Sequence, residues 1–276
     1  MYVIDQNSLK SASKELAGRT CDVLLTDSLF AEMIKSKNFV KHFKDKMQVF
    51  LDRPESSYLT YSIQEIILTE REKRSAIRDV ISAQGTKQLR SMLLIVEHFG
   101  QLGLAKSAEK IRADLNETYF KEDAKNLYQK VISIIDGSLD DDVATYKNTK
   151  IISDRALLYM AIFINTFDMK RKLRDGWTYD QVAAYVQNSG FFLRSHYLHY
   201  ICGFMYLGDC GFENMKESKV VNQNIDNNVI VKASYGHKVI TEDNGMLARI
   251  EALDRMIKFG KEHIPTPSQL KSIATH

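Results

Sequence analysis

Four acidic residues stand where apolar segments of this chain begin or end. They are Asp5, Glu32, Asp226 and Asp243. A carboxylate just past a buried parallel strand lies at the carboxyl edge of the sheet, where open α/β folds build their sites. Carboxylates gathered at one edge repel one another unless a cation lies between them, and hard oxygen ligands suit Mg²⁺ or Mn²⁺. The pattern therefore predicts a metal site that could hydrolyse phosphodiester bonds.

Each of these acids also has an ordinary structural explanation. Asp5, Asp226 and Asp243 could each cap a helix or close a turn, as aspartate commonly does. Glu32 falls on an apolar helical stripe, where a carboxylate needs a partner. The set is more specific than its members. Asp226 and Asp243 are separated by enough chain for one helix, a turn at Gly236 and a strand, which would bring both carboxylates to one edge.

Composition restricts the class of protein. The chain has 38 Lys and Arg against 35 Asp and Glu, a net charge of +3, so nucleic acid would have to bind through local patches. Three cysteines without metal-binding spacing favour a reducing compartment. The first residues lack the pattern of a secretory signal, and the apolar stretch 156–167 is too short to span a bilayer. We expect a cytoplasmic protein with no membrane partner.

Short apolar runs predict the strands of an α/β core. The expected strands are residues 2–4, 23–25, 47–51, 219–221 and 238–241, with a final short strand from residue 263. Helical periodicity and glycine breaks predict helices over 62–81, 86–100, 104–116, 119–135, 153–172, 178–187, 190–206, 226–235 and 244–259. The acidic run 140–142 is expected to be a solvated loop. Alternating strands and helices imply parallel strands. The expected fold is a parallel-sheet α/β/α sandwich of residues 1–58 and 210–276 with an extended α-helical insertion over 59–209.

The acidic segments resemble the motifs of the PIN domain nucleases. Val3-Ile4-Asp5-Gln6-Asn7 is similar to a strand ending in Asp-x-Asn, and Glu32 to the helical glutamate that follows the next strand. Asp226 is similar to an aspartate that opens a helix, and Thr241-Glu242-Asp243 to a strand ending in Thr-x-Asp. The resemblance covers about residues 1–55 and 215–272. The separation of Glu32 from Asp226 is longer than in compact members, so the middle of the chain would be an insertion.

The resemblance implies a Mg²⁺- or Mn²⁺-dependent endoribonuclease. Asp5, Glu32, Asp226 and Asp243 would be the metal ligands and catalytic residues. Asn7 and Thr241 would hold the carboxylates in place and border the substrate. Members of the family are frequently toxin or defence effectors, so the resemblance extends to that role. The expected partner is RNA, or single-stranded DNA, with a homo-oligomer or a regulatory protein partner as further options.

Basic residues in the helical region could bind the substrate. Arg171, Lys172 and Arg174 form one of three basic clusters, which could follow a phosphate backbone or simply be a solvated helix face.

Two other functions are compatible with the sequence. The chain could be a non-catalytic module of the same fold that binds nucleic acid or protein. Alternatively, Arg194 and His199 resemble the short Arg-x4–6-His motif of HEPN ribonucleases, which cleave RNA without a metal. Sensitivity to EDTA would separate that chemistry from the metal-dependent kind.

Overall fold

A parallel sheet of four short strands organises the amino-terminal part of the fold. The computed structural model describes residues 1–29, 39–99, 137–209 and 217–272. The strands are β1 (Tyr2–Ile4), β2 (Val23–Leu25), β3 (Ser57–Leu59) and β4 (Lys238–Ile240). They lie in the order β3-β2-β1-β4, and every pairing is parallel. The prediction of an α/β protein with parallel strands is confirmed.

Helices make up most of the remaining described chain. In chain order they are α1 (Leu9–Glu15), α2 (Phe39–Leu51), α3 (Ile63–Lys73), α4 (Ala83–Phe99), α5 (Asp140–Thr149), α6 (Asp154–Arg174), α7 (Tyr179–Gln187), α8 (Phe191–Asp209), α9 (Glu217–Ala233), α10 (Asn244–Glu262) and α11 (Pro267–Ser272). Residues Gln6–Ser8 and Pro54–Ser56 form single 3₁₀ turns. Within the described ranges, no helix is both long enough and apolar enough to cross a membrane.

The chain folds into two compact units. The first comprises Met1–Ile63, Asp79–Glu122 and Asn228–Met246, and the second comprises Gln64–Arg78, Asp123–Asn227 and Leu247–His276. This division differs from the expected one, because α4 belongs with the sheet, whereas α11 and most of α10 belong to the second unit. The Thr86 hydroxyl of α4 accepts a hydrogen bond of 3.0 Å from the backbone nitrogen of Leu59, and Ile81 forms an antiparallel bridge with Thr60. These contacts extend the sheet unit beyond residue 58.

The core of the first unit is built around β2. Its three residues, Val23 to Leu25, are fully buried, as expected of a strand in the middle of a parallel sheet. Helix α1 contributes Leu9 and Ala12 to this core, and α2 contributes Met47, Val49 and Phe50. The strand predicted at 47–51 is therefore wrong. Phe43, Met47, Phe50 and Leu51 recur at helical spacing, so the segment forms the end of an amphipathic helix.

Several other boundaries differ from the prediction. Residues 219–221 are helical rather than extended, and residues 263–266 form no strand. The helix predicted over 62–81 ends at Lys73, because Arg74 adopts a left-handed backbone with φ of 47°. The acidic run 140–142 is the first turn of α5, where carboxylates favour the positive end of the helix dipole. The predicted helices 104–116 and 119–135 lie outside the described residues.

Buried polar groups join the helices of the second unit. The Glu70 carboxylate is buried and accepts hydrogen bonds from the Tyr185 hydroxyl at 2.7 Å and from the backbone nitrogens of Phe191 and Phe192 at 2.8 and 3.4 Å. Those nitrogens belong to the first turn of α8, which intrahelical bonds leave unpaired. Glu70 therefore caps a helix that lies far from it in sequence. Helix α7 begins with a capping box, in which Thr178 and Gln181 exchange hydrogen bonds.

Candidate functional site

All four strands end in a polar residue at the carboxyl edge of the sheet. Asp5 follows β1, Thr26 follows β2, Thr60 follows β3 and Thr241 follows β4. Asp5, Thr26 and Thr60 are buried. An edge of this kind is where parallel α/β sheets place their functional groups, so these residues define the candidate site.

The first and fourth predicted motifs meet at this edge. The Thr241 hydroxyl contacts Asp5 Oδ2 at 3.3 Å, although the two residues are 236 positions apart in the chain. The same hydroxyl oxygen accepts a hydrogen bond of 3.1 Å from the backbone nitrogen of Asp243. Nearby, the Ser8 hydroxyl accepts a bond of 3.0 Å from the nitrogen of Glu242. The parallel pairing of Ile4 with Ile240 brings the two strand ends to the same level.

Asp243 also caps α10. Its Oδ1 accepts hydrogen bonds from the backbone nitrogens of Gly245 at 2.7 Å and Met246 at 3.2 Å. This is the capping role that the sequence allowed, and it fixes the orientation of the carboxylate. The side chain is exposed, so a ligand can reach it from solvent.

Asp226 does not open a helix, so that part of the prediction is wrong. It lies in the interior of α9, which begins at Glu217. Its Oδ2 forms a salt bridge of 3.3 Å with Arg249, which also donates to the Asn227 side chain at 2.8 Å. Arg249 is buried, and its charge balances that of Asp226 within the second unit. Glu32 lies outside the described residues.

A buried lysine at the carboxyl edge was not predicted. Lys232 is completely buried, and its ammonium donates to the Asp27 carboxylate, to the Thr60 hydroxyl at 3.1 Å and to the carbonyl oxygen of Tyr61 at 2.9 Å. Asp27 is the second residue after β2. The available signal was a lysine within the apolar segment 229–233, since a charge in a buried stripe needs a partner.

The described acids do not form a complete metal cage. In the ranges that the structure covers, no three Asp, Glu, His or Cys side chains converge closely enough to hold a metal ion. Asp5 and Asp243 are the two predicted ligands that approach each other through a shared partner. Mg²⁺ often retains several waters and is bound through one or two carboxylates together with substrate phosphates, so a pair of this kind fits the metal.

Lys172 is not a surface residue that could contact a phosphate, so its predicted role is wrong. It is buried, pairs with Asp168 at 2.9 Å and lies over the rings of Trp177 and Tyr185. Burial lowers the pKa of Lys172, and the neighbouring Asp168 opposes that shift. Arg171 also pairs with Asp168, at 3.1 Å, while Arg174 is exposed. Of these three residues, only Lys172 belongs to the helical core.

The surroundings of Arg194 and His199 do not favour metal-independent cleavage. Arg194 is buried, and its Nε donates to the carbonyl oxygen of Ser189 at 2.5 Å. Burial lowers the pKa of His199 to about 4 and that of the neighbouring His196 to about 3. A histidine that exchanges protons with substrate near neutral pH needs a pKa close to 7. These groups are better explained by the packing of α8.

The fold and the site together define an α/β protein with an all-parallel sheet and a polar carboxyl edge. Comparison with known protein families, curated proteins and solved structures finds no match for this chain. Its function must therefore be inferred from the residues at that edge.

Proposed function

We propose that this chain is a metal-dependent nuclease that hydrolyses RNA at the carboxyl edge of its sheet. One observation carries the proposal: the Thr241 hydroxyl links Asp5 with the segment of Asp243. Two acidic motifs from opposite ends of the chain thereby meet in the order that the PIN-like resemblance implies. Thr241 donates to Asp5 and so fixes the direction of that carboxylate, as the neighbours of metal ligands generally do.

Asp5 and Asp243 are the ligands that we assign to Mg²⁺ or Mn²⁺. When bound, the metal would lower the pKa of a coordinated water and neutralise charge that develops on the phosphate. Burial of Asp5 keeps competing water away from its carboxylate, and the cap formed by Asp243 Oδ1 holds that residue rigidly. Glu32 stays a predicted ligand. Asp226 is less suited, because Arg249 already balances its charge.

A non-catalytic binding module is the second candidate function. Two carboxylates already carry a positive partner from the chain itself, Asp27 from Lys232 and Asp226 from Arg249. A site that needs several unneutralised acids is weakened by such pairs. The same fold could then hold nucleic acid without cutting it. We rank this function second, since it leaves the link between Asp5 and Thr241 without a role.

The test is cleavage of labelled RNA and single-stranded DNA with Mn²⁺, in the presence and absence of EDTA. Wild type is compared with Asp5→Asn and Asp243→Asn, which preserve shape and remove charge. Asp22→Asn is the matched control, because Asp22 precedes β2 and lies at the opposite edge of the same sheet. Circular dichroism establishes that all variants are folded.

The proposal predicts that cleavage requires Mn²⁺, survives in Asp22→Asn and falls by at least about a hundredfold in the two site variants, since each removes a ligand of the metal. Cleavage that persists in EDTA and in both site variants would refute it. Binding of RNA without any cleavage by wild type would favour the binding module instead.

A further inference from the structure

We infer that a lysine-lined cleft beside the carboxyl edge binds the phosphate backbone of single-stranded nucleic acid. The cleft has a volume of about 660 Å³ and lies between α1 and α2 in the first unit. Its basic lining residues are Lys10, Lys14 and Lys46. The inference rests on the proposed function for the identity of the ligand, while its test measures binding alone.

The lysines converge because of helix geometry. Lys10 and Lys14 are four residues apart on α1, so their side chains lie on the same face one turn apart. Helix α2 packs against α1 and contributes Lys46 from the other side of the cleft. The only acidic residue among the cleft's described lining residues is Asp45. Lys10 and Lys14 are exposed, so their ammonium groups give the α1 side of the cleft a positive surface that attracts an anion.

The cleft leads to the proposed catalytic edge. Asn7 lines it and belongs to the 3₁₀ turn that follows Asp5 directly. The turn is held to Asp5 by a hydrogen bond of 3.0 Å from the nitrogen of Ser8 to the Asp5 carbonyl oxygen. A chain of phosphates lying along the lysines would therefore arrive beside the Asp5 carboxylate. Asn7, which was predicted to border the substrate, would contact the nucleotide next to the scissile bond.

The chemistry of the lining favours backbone contacts over base recognition. Lysine binds phosphate as a compact point charge and lacks the planar fork of donors by which arginine forms two parallel hydrogen bonds. The remaining lining residues are Leu9, Ser13 and Gln48, which are aliphatic or polar. Such a surface should bind RNA and single-stranded DNA with little dependence on sequence, and its affinity should fall steeply with salt.

The experiment is fluorescence anisotropy with labelled single-stranded homopolymers of RNA and DNA in EDTA, so that no cleavage takes place. The test variants are Lys10→Glu/Lys14→Glu and the milder Lys10→Gln/Lys14→Gln. The matched control is Lys87→Glu/Lys238→Glu, which reverses two exposed lysines of the same unit outside the cleft. Circular dichroism checks folding, and salt is varied between about 50 and 200 mM, the range over which phosphate contacts dominate the affinity.

The glutamate variant is expected to lose at least about tenfold in affinity and the glutamine variant somewhat less. For the glutamine variant, the slope of log K against log salt should become shallower by about 1.4, or roughly 0.7 for each lost contact with a single strand. An equal loss in the control would show a general charge effect and overturn the inference. The inference would also be overturned by full affinity in the lysine variants or by absence of binding by wild type. The same holds if a polyglutamate competitor binds more strongly than the nucleic acid.

Failure of this inference can be distinguished from failure of the proposed function. If wild type binds through the cleft but cleaves nothing with Mn²⁺, the cleft stands and the nuclease proposal fails. If wild type cleaves and the lysine variants bind and cleave equally well, the nuclease proposal stands and the cleft is wrong.

Discussion

The buried pair of Lys232 and Asp27 offers a sharp test of how the carboxyl edge is held together. Replacing Lys232 with methionine keeps the unbranched side chain as far as Cε but removes the ammonium group and its hydrogen bonds to Asp27, Thr60 and Tyr61. Replacing Asp27 with asparagine leaves that ammonium in place without its counter-charge. We expect both variants to lower the free energy of unfolding and the double variant to cost less than the sum.

The magnitudes follow from burial. Removing one partner of a buried ion pair typically costs about 3–5 kcal/mol, because the other charge stays out of water. The side chain of Asp27 is 13% exposed, so it can recover some hydration, whereas that of Lys232 is 0% exposed and cannot. We therefore expect about 3 kcal/mol for Lys232→Met and about 4–5 kcal/mol for Asp27→Asn. The double variant should cost at least about 2 kcal/mol less than the sum of the two single variants, as expected for groups in direct contact.

Urea unfolding followed by far-ultraviolet circular dichroism measures all four proteins. Fluorescence is unsuitable here, because the only tryptophan, Trp177, belongs to the second unit and the pair to the first. A coupling energy below about 0.5 kcal/mol would mean that the two sites are independent, which would refute the argument. Single-variant costs below about 1 kcal/mol would refute the claim that the ammonium is desolvated.

Two further predictions concern the second unit. Glu70→Gln should lower the free energy of unfolding by about 2–3 kcal/mol, because the amide replaces one acceptor oxygen of a charged cap. The matched control, Glu72→Gln, changes an exposed neighbour and should be neutral. Urea unfolding monitored by Trp177 fluorescence measures both variants. Burial lowers the folded-state pKa of His199 to about 4, so the unfolded chain takes up a proton first as pH falls below about 6.5. The free energy of unfolding should therefore fall as the pH is lowered from 6.5 to 4, by up to about 1.4 kcal/mol per pH unit. His199→Gln should make this dependence on pH shallower. An unchanged dependence would show that His199 is already protonated in the folded protein.

Strands with uniform apolar composition could be predicted, and those with polar residues could not. Residues 2–4 and 23–25 are short runs of Val, Ile and Leu apart from Tyr2, and both are strands. Strand β3 was missed because Ser57-Tyr58-Leu59 carries little apolar signal. Its place in the sheet depends on β2 and on contacts with α4, neither of which is local in sequence. Tertiary context of this kind overrides local propensity.

The position of Asp226 was mispredicted for a related reason. Two adjacent valines, Val220 and Val221, suggested a strand that would end before the aspartate. Valine costs less than about 0.7 kcal/mol relative to alanine in a helix, so a pair of valines cannot stop one that gains from burial. Ile225 and Val229 supply that burial on the face of α9. The helix therefore begins earlier, and Asp226 meets Arg249 instead of standing at a helix start.

The sequence suggested acidic residues for the candidate site, but it could not show which carboxylates pair with a cation. Counting carboxylates treats Asp5, Asp27 and Asp226 alike, whereas the structure gives them different partners. Asp5 contacts the Thr241 hydroxyl, which orients the carboxylate. Asp27 pairs with the ammonium of Lys232, and Asp226 pairs with the guanidinium of Arg249. Each of these cations both orients its carboxylate and balances its charge. Those partners are distant in sequence, so spacing alone could not reveal them.

The order of the strands divides the carboxyl edge into two halves of different character. On the β2–β3 side, Lys232 occupies the space between Asp27 and Thr60 with a fixed positive charge. On the β1–β4 side, Asp5 and Asp243 share the Thr241 hydroxyl. A divalent cation is repelled by a buried ammonium and attracted by carboxylates, so, compared with the β2–β3 side, the β1–β4 side suits a metal better. The lysine-lined cleft begins on this same side, at Asn7, which is where a nuclease would need its substrate to arrive.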